Sequence, residues 1–379
     1  MTVIKNGRIH DAVKAEAYVA DILVKDGKIA SVGTDFSADE EIIDASGKDI
    51  YPGFVEAHAH LGLDGYGIGF EGHDYNEMND ICTPHLRAID SFNPLDPSVK
   101  KAALGGITTV ATGQGSSNAI GGTWIAVKTH GICVDDMIIK DPIAMKGALG
   151  ENPKRCYRDK GNSARMSTAA VVRNMMFKTR DYMARKAAAN GDPAKMPAFD
   201  FKCEAMIPVM EKKIPLKMHA HQANDILTAI RLAKEFDVLL TLEHVTEGHL
   251  IADILAKTDY MMAVGPSLTH ASKFELQNKS WTTPGILASK GCHVSIITDS
   301  PVIPQEYLPV CAGLAVKAGM DPFDALKAIT INAAEHIGVA DRVGTIEEGK
   351  DADLLVVAGC PFELSAVYET VMIDGEVIR

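Results

Sequence analysis

The chain has 379 residues, 46% of them hydrophobic and 23% charged, enough apolar content to bury a core and too little charge for global disorder. Fifty acidic residues against 38 basic ones leave a net charge of −12, which disfavours nucleic acid and anionic membranes as partners. No run of about 18 apolar residues and no signal-like start is present, and the seven cysteines are scattered without a C-x-x-C pair. The expectation is a cytoplasmic protein with reduced thiols.

The first fifty residues alternate short strand-like runs with turns. Val3-Ile4 leads to a turn at Asn6-Gly7, and Ala20–Val24 and Ile29–Gly33 flank the hairpin signal Asp26-Gly27. The C-terminal end has the same character, with Ala352–Val357, Val371–Ile373 and a second hairpin signal at Asp374-Gly375. Matching chemistry at both ends predicts that they pair, as a composite β-sandwich domain of residues 1–52 and 345–379.

Between them, residues 53–344 read as a (β/α)₈ barrel, with strands near 53–57, 107–111, 124–128, 143–149, 214–218, 238–243, 260–264 and 293–298. Helical periodicity fits Thr168–Asn190, Ala223–Phe236, Glu247–Lys257 and Pro322–Ile337. Asp321 is the expected N-cap of the last of these, and Gly338 its stop. The basic stretch 154–165 reads as a loop over the barrel mouth. The fold class is therefore α/β: a TIM barrel carrying a small sandwich.

Polar residues collect at the predicted strand ends. His58-Ala59-His60 follows the first strand, and its two imidazoles, two residues apart, project to one face. His219 ends the fifth strand, His244 the sixth, and Asp299 follows the eighth. These are the carboxyl ends at which active sites of this fold collect. His270 and Lys273, past the seventh strand, are candidates to meet a substrate. His249 and His336 read as surface or packing positions.

In its motifs Tyr51–His60, Met218-His219-Ala220-His221, Glu243-His244, Thr298-Asp299-Ser300 and Val343–Leu354, the sequence resembles the metal-dependent amidohydrolase superfamily. The likeness is to its imidazolonepropionase-like and isoaspartyl-dipeptidase-like branch. The resemblance implies a TIM barrel with a composite sandwich and one or two divalent ions. In the two-metal form His58, His60 and Asp299 would hold one ion and His219 and His244 the other. Lys146, on the fourth strand, would bridge them as a carboxylated lysine, with Glu151 the next choice of ligand or a substrate contact. Such a donor set suits Zn²⁺, two per chain, with Mn²⁺, Fe²⁺ or Co²⁺ as alternatives. Either member of His219-Ala220-His221 can reach a metal; the family position favours His219 and leaves His221 to orient water or substrate.

The implied reaction is hydrolysis of an amide or cyclic amide C–N bond by a metal-activated hydroxide, with Asp299 shuttling the proton. Mononuclear relatives carry an acidic proton shuttle three residues after the strand-five histidine. Position 222 is Gln, which cannot do that acid–base work. A mononuclear deaminase or imidazolone-type ring hydrolase is the alternative, and a non-catalytic relative a third. The expected partner is a small-molecule substrate, in a homo-oligomer of the chain.

Overall fold

The computed structural model describes residues 1–34, 36, 41–64, 66 and 69–379. Five strands open the chain: β1 (Thr2–Ile9), β2 (Tyr18–Lys25), β3 (Lys28–Gly33), β4 (Glu41–Asp44) and β5 (Asp49–Pro52). The barrel strands follow: β6 (Phe54–Ala59), β7 (Ile107–Thr112), β8 (Ile120–Lys128), β9 (Ile138–Ala148), β10 (Leu216–Ala220), β11 (Leu240–His244), β12 (Met261–Val264) and β13 (Val294–Ile296). Three more close the chain: β14 (Leu354–Ala358), β15 (Val367–Ile373) and β16 (Glu376–Val377).

The two ends do pair. β5 runs antiparallel to β14, with Tyr51 opposite Leu355, and the order β16-β15-β14-β5-β1-β2-β3, with β4 alongside β1, makes one eight-stranded sheet. Ile4, Ile22, Leu354 and Met372 belong to its buried core. Both predicted hairpins form, each with two consecutive left-handed residues: Asp26 and Gly27 at φ 51° and 75°, Asp374 and Gly375 at 48° and 79°. That is the backbone which two-residue hairpins favour. The two turns abut, since a Cβ on Gly375 would lie 2.9 Å from Gly27 Cα. Asn6-Gly7, expected as a turn, is instead an irregularity inside β1, where the register to β2 shifts between Ile4 and Gly7. The shift leaves β1 pairing β4 through residues 2–5 and β5 through residues 8–9.

β6 to β13 form the second sheet in sequence order. Among the described residues it is a nearly closed barrel rich in parallel pairs, but not all parallel: β8 runs antiparallel to both β7 and β9. The neighbouring segment 81–87 lies along β8 in place of a crossover helix, through bridges of Cys82 to Ile120 and Arg87 to Thr123.

The helices differ from expectation in detail. Residues 165–189 form one helix ending at Asn190 in the left-handed conformation. The predicted Pro322–Ile337 helix is two, Pro322–Ala328 and Ile331–His336; Asp321 caps the first by accepting from the Phe323 and Asp324 amides. The predicted Glu247–Lys257 helix is a 3-10 turn, Gly248–Ile251, followed by one helical turn, Ala252–Leu255. The supposed loop at 154–165 begins inside a short helix, Glu151–Cys156, and a further helix, Phe201–Met210, packs beside the long one.

Candidate metal centre

The barrel brings the strand-end residues together. His58, on β6, is fully buried, and its Nδ1 lies 2.7 Å from Glu243 Oε2. Ionised Glu243 can only accept, so Nδ1 carries the proton and Nε2 presents its lone pair to the barrel interior. That Nε2 stands 3.1 Å from Lys146 Nζ and 3.7 Å from Asp299 Oδ1. His60 donates from Nδ1 to the Gly113 carbonyl at 2.7 Å and turns Nε2 to Asp299 Oδ1 at 3.3 Å. Position 113 must be glycine, since a Cβ there would fall 2.1 Å from the Trp124 ring.

His244 and Asp299 have left-handed backbones, φ 72° and 54°. Non-glycine residues rarely occupy this region, and it interrupts strand alternation; Glu243 and His244 both face inward, one bonded to His58 and the other with its ring 4.8 Å from that of His58. His244 donates from Nδ1 to the Gly265 carbonyl at 2.8 Å. His219 and His221 leave β10 on one face, with rings 4.6 Å apart, and His221 Nδ1 lies 2.6 Å from Thr246 Oγ1.

Both ring nitrogens of His219, Nε2 of His244 and Oδ1 of Asp299 are buried without a hydrogen-bond partner. Buried polar atoms left unpaired are costly, and three residues that gather such atoms at one place, His219, His244 and Asp299, call for a ligand. Donor atoms of His219, His221 and His244 lie within 4.8 Å of one another, as do those of His58, His244 and Asp299. Imidazole nitrogens with a carboxylate are a donor set that fits a divalent transition metal.

The electrostatics suit such a site. Burial holds His58, His219 and His221 well below the ordinary imidazole value and His244 down at about 4, so all four stay neutral as ligands must be. Burial lowers Lys146 to about 7, opposed by Glu243 and reinforced by Lys217. Burial works against ionising Asp299, but His244 and His60 outweigh it and keep the carboxylate below its usual range.

The other candidates separate. Lys273 lines the cavity above the centre, paired to Glu275 at 2.6 Å and donating to Asn152 at 3.0 Å. Glu151 faces away: its amide donates to Glu275 Oε2 at 2.8 Å and its carboxylate accepts from the Glu275 amide at 3.3 Å, a brace between two loops. His270 is exposed and lies outside the residues that line the cavity. The cavity has a volume of about 630 Å³ and includes His60, His219, His221, Asp299 and Arg155 in its wall.

Four buried charged residues receive no role from the sequence pattern. Glu275 Oε1 stands 3.6 and 3.7 Å from Nε2 of His219 and His221. Glu56 accepts from the His58 and Thr298 amides, the Thr298 hydroxyl and Gln305, tying β6 to the loop that carries Asp299. Glu243 and Lys217 form a buried ion pair at 2.7 Å. His336, expected at the surface or in packing, is instead a buried partner of Glu243 at 2.8 Å. The available signal was period two: Glu56 and Lys217 each precede a strand-end histidine by two residues and so share its inward face.

Residues 50–378 match the model of the Amidohydrolase family. The chain belongs to the amidohydrolase family. It is 26% identical over 391 residues to the amidohydrolase tasK of Hapsidospora irregularis, covering 94% of this chain but only 40% of that protein. To the imidazolonepropionase of Thermoplasma volcanium it is 25% identical, over 89% of this chain and 83% of the relative. The solved structure of an amidohydrolase from Thermotoga maritima MSB8 is 41% identical, with a TM-score of 0.96 and full coverage of both chains. This amidohydrolase has, among its described residues, no helix long and apolar enough to cross a membrane.

Proposed function

We propose that the chain is a metal-dependent hydrolase that cleaves an amide or cyclic-amide C–N bond of a small molecule. The observation that carries this reading is the convergence of unpartnered buried atoms of His219, His244 and Asp299 beside His58, at the floor of the cavity. In it, His58, His60 and Asp299 would hold one ion and His219 and His244 a second, with Lys146, carboxylated, as a further anionic ligand; Zn²⁺ would be the preferred metal. A divalent ion supplies Lewis acidity and lowers the pKa of water from 15.7 to near 7.

Asp299, ionised at neutral pH, takes the proton of the attacking water as its oxygen bonds to the carbonyl carbon. It returns that proton to the nitrogen as the C–N bond breaks, giving a carboxylic acid and an amine. His221, beside His219 in the cavity wall, orients the water or the carbonyl. Gln222 is neutral and already accepts from Arg165, which supports amide hydrolysis over ring deamination. Arg155 lines the cavity and has no hydrogen-bond or ion-pair partner among the described residues, which supports a substrate bearing a carboxylate. Residues 1–52 with 345–379 serve as a supporting domain, and residues 53–344 as the catalytic one.

Metal analysis of purified protein combined with a panel of N-acyl amino acids, dipeptides and lactams tests the reading. Near two ions per chain with amide turnover is the expected result. One ion, an unmodified Lys146 and ammonia release from ring amines without amide turnover would replace it with the mononuclear deaminase.

A further inference from the structure

Beneath the centre lies a polar group that the reaction above does not use. Glu243 is buried, and each of its two oxygens takes two donors: Oε1 from Thr241 Oγ1 at 2.7 Å and His336 Nε2 at 2.8 Å, Oε2 from His58 Nδ1 and Lys217 Nζ, both at 2.7 Å. Four donors fill the acceptor capacity of a carboxylate, so it has no freedom to turn. Lys217 Nζ donates once more, to the Ala57 carbonyl at 2.9 Å, one residue before His58. The hub thus joins β6, β10, β11 and the helix Ile331–His336.

Its components are costly. A buried Lys–Glu pair is weak evidence for stability, since apolar residues of similar volume often do as well or better. His336 Nδ1 is buried without a partner, a further cost. All of that expense serves one ring that faces the centre: among the described residues, Glu243 is the carboxylate that takes a hydrogen bond from His58.

We propose that Glu243, braced by Lys217 and His336, is a positioning hub that fixes the tautomer and orientation of His58 for the metal. This rests on the reading of His58 as a ligand. Ligating histidines are commonly held by a carboxylate on the far nitrogen, and losing such a partner weakens metal binding about 10–100-fold. His336 acts at one remove: without it Glu243 loses a donor on Oε1 and can rotate its other oxygen off His58.

The test measures Zn²⁺ affinity of the metal-free protein by competition with a chromophoric chelator, with circular dichroism to confirm folding. Glu243→Gln and His336→Leu should each weaken zinc binding at one equivalent, by about 10–100-fold and about tenfold respectively. His336→Gln keeps an N–H for Glu243 and should recover most of that loss. Zinc affinity at the wild-type level in folded Glu243→Gln and His336→Leu overturns the hub, as does a His336→Gln protein no better than His336→Leu. If the unaltered protein itself binds no zinc, the metal-centre reading fails first and the hub falls with it.

Discussion

Lys146 and Lys217 sit opposite each other in the register of β9 and β10, both buried, their ammonium nitrogens 4.9 and 5.1 Å from the centre of the Trp124 ring. The two have different partners. Lys217 is neutralised by Glu243, whereas Lys146, among the described residues, meets only the neutral His58 as a hydrogen-bond partner. A buried lysine without a carboxylate is expensive, and conversion to an anionic carbamate between metal ions would remove that expense. Lys146→Ala should therefore lose at least one metal equivalent and most turnover, with partial recovery on adding short carboxylic acids; full metal content and rate in that variant would end the bridging role. Asp299→Asn should retain substrate binding while turnover falls about 10²–10⁴-fold. Equal kcat in the variant would leave Asp299 as a ligand alone. Arg155→Met should raise KM for carboxylate substrates about 10–100-fold and leave matched neutral amides unaffected, a contrast that steady-state kinetics reads directly. At this scale the strand-end histidines and Asp299 were legible because each follows an apolar run. Glu275 was not, because it reaches the centre from the irregular loop after β12, where no periodicity announces direction.

Among the elements, β8 shows what pattern reading leaves out. Its residues are apolar enough for a strand, but direction is not encoded in hydrophobicity. It is encoded in the connectors: residues 113–119 and 129–137 are both shorter than the dozen or so residues a parallel crossover needs. The hairpin turns, by contrast, were plain from Asp-Gly pairs, since a left-handed pair of residues leaves few choices of side chain. Gly27→Val should accordingly destabilise the chain by about 1–3 kcal/mol, from its φ of 75° and from a Cβ only 2.9 Å from the Asp374 carbonyl oxygen. The midpoint of urea unfolding measures it, and an unchanged midpoint would mean that the paired turns contribute nothing. The broken helix at 329–330 was hidden for another reason: the Thr330 hydroxyl bonds the Leu326 carbonyl, and tertiary packing decides whether such a bond ends a helix or continues it.

Across the whole molecule, a charge cluster clasps the terminal sheet to the barrel. Lys128, buried at the end of β8, meets Asp351, Asp353 and Asp374 at 3.0, 2.8 and 2.9 Å, and Arg342 reaches Asp351 at 2.8 Å. Burial alone would raise Asp351, but Lys128, Lys28 and Arg342 hold it below the usual carboxylate range. Its stabilising contribution is therefore present above about 3.8 and is lost as pH falls through the lower folded value; Asp374, raised chiefly by burial, offsets part of this. Burial also works against Lys128, yet its three carboxylates raise it above 10.5, so its contribution persists to that pH and is lost as pH rises beyond it. Lys128→Met leaves three carboxylates uncompensated and should cost about 3–5 kcal/mol at neutral pH, with weaker dependence on acid than the unaltered protein. Urea titrations at pH 7 and pH 4 distinguish the two; parallel losses in both proteins would exclude the clasp.

The pairing of β5 with β14 also sets an order in time. On the ribosome β5 emerges about 300 residues before its neighbour β14, so its edge stays unpaired while the barrel is being made. Until then the first strands are the segment most open to wrong partners, and a nascent chain stalled before residue 354 should engage chaperones through residues 1–52. The last strands synthesised are thus the ones that release the first.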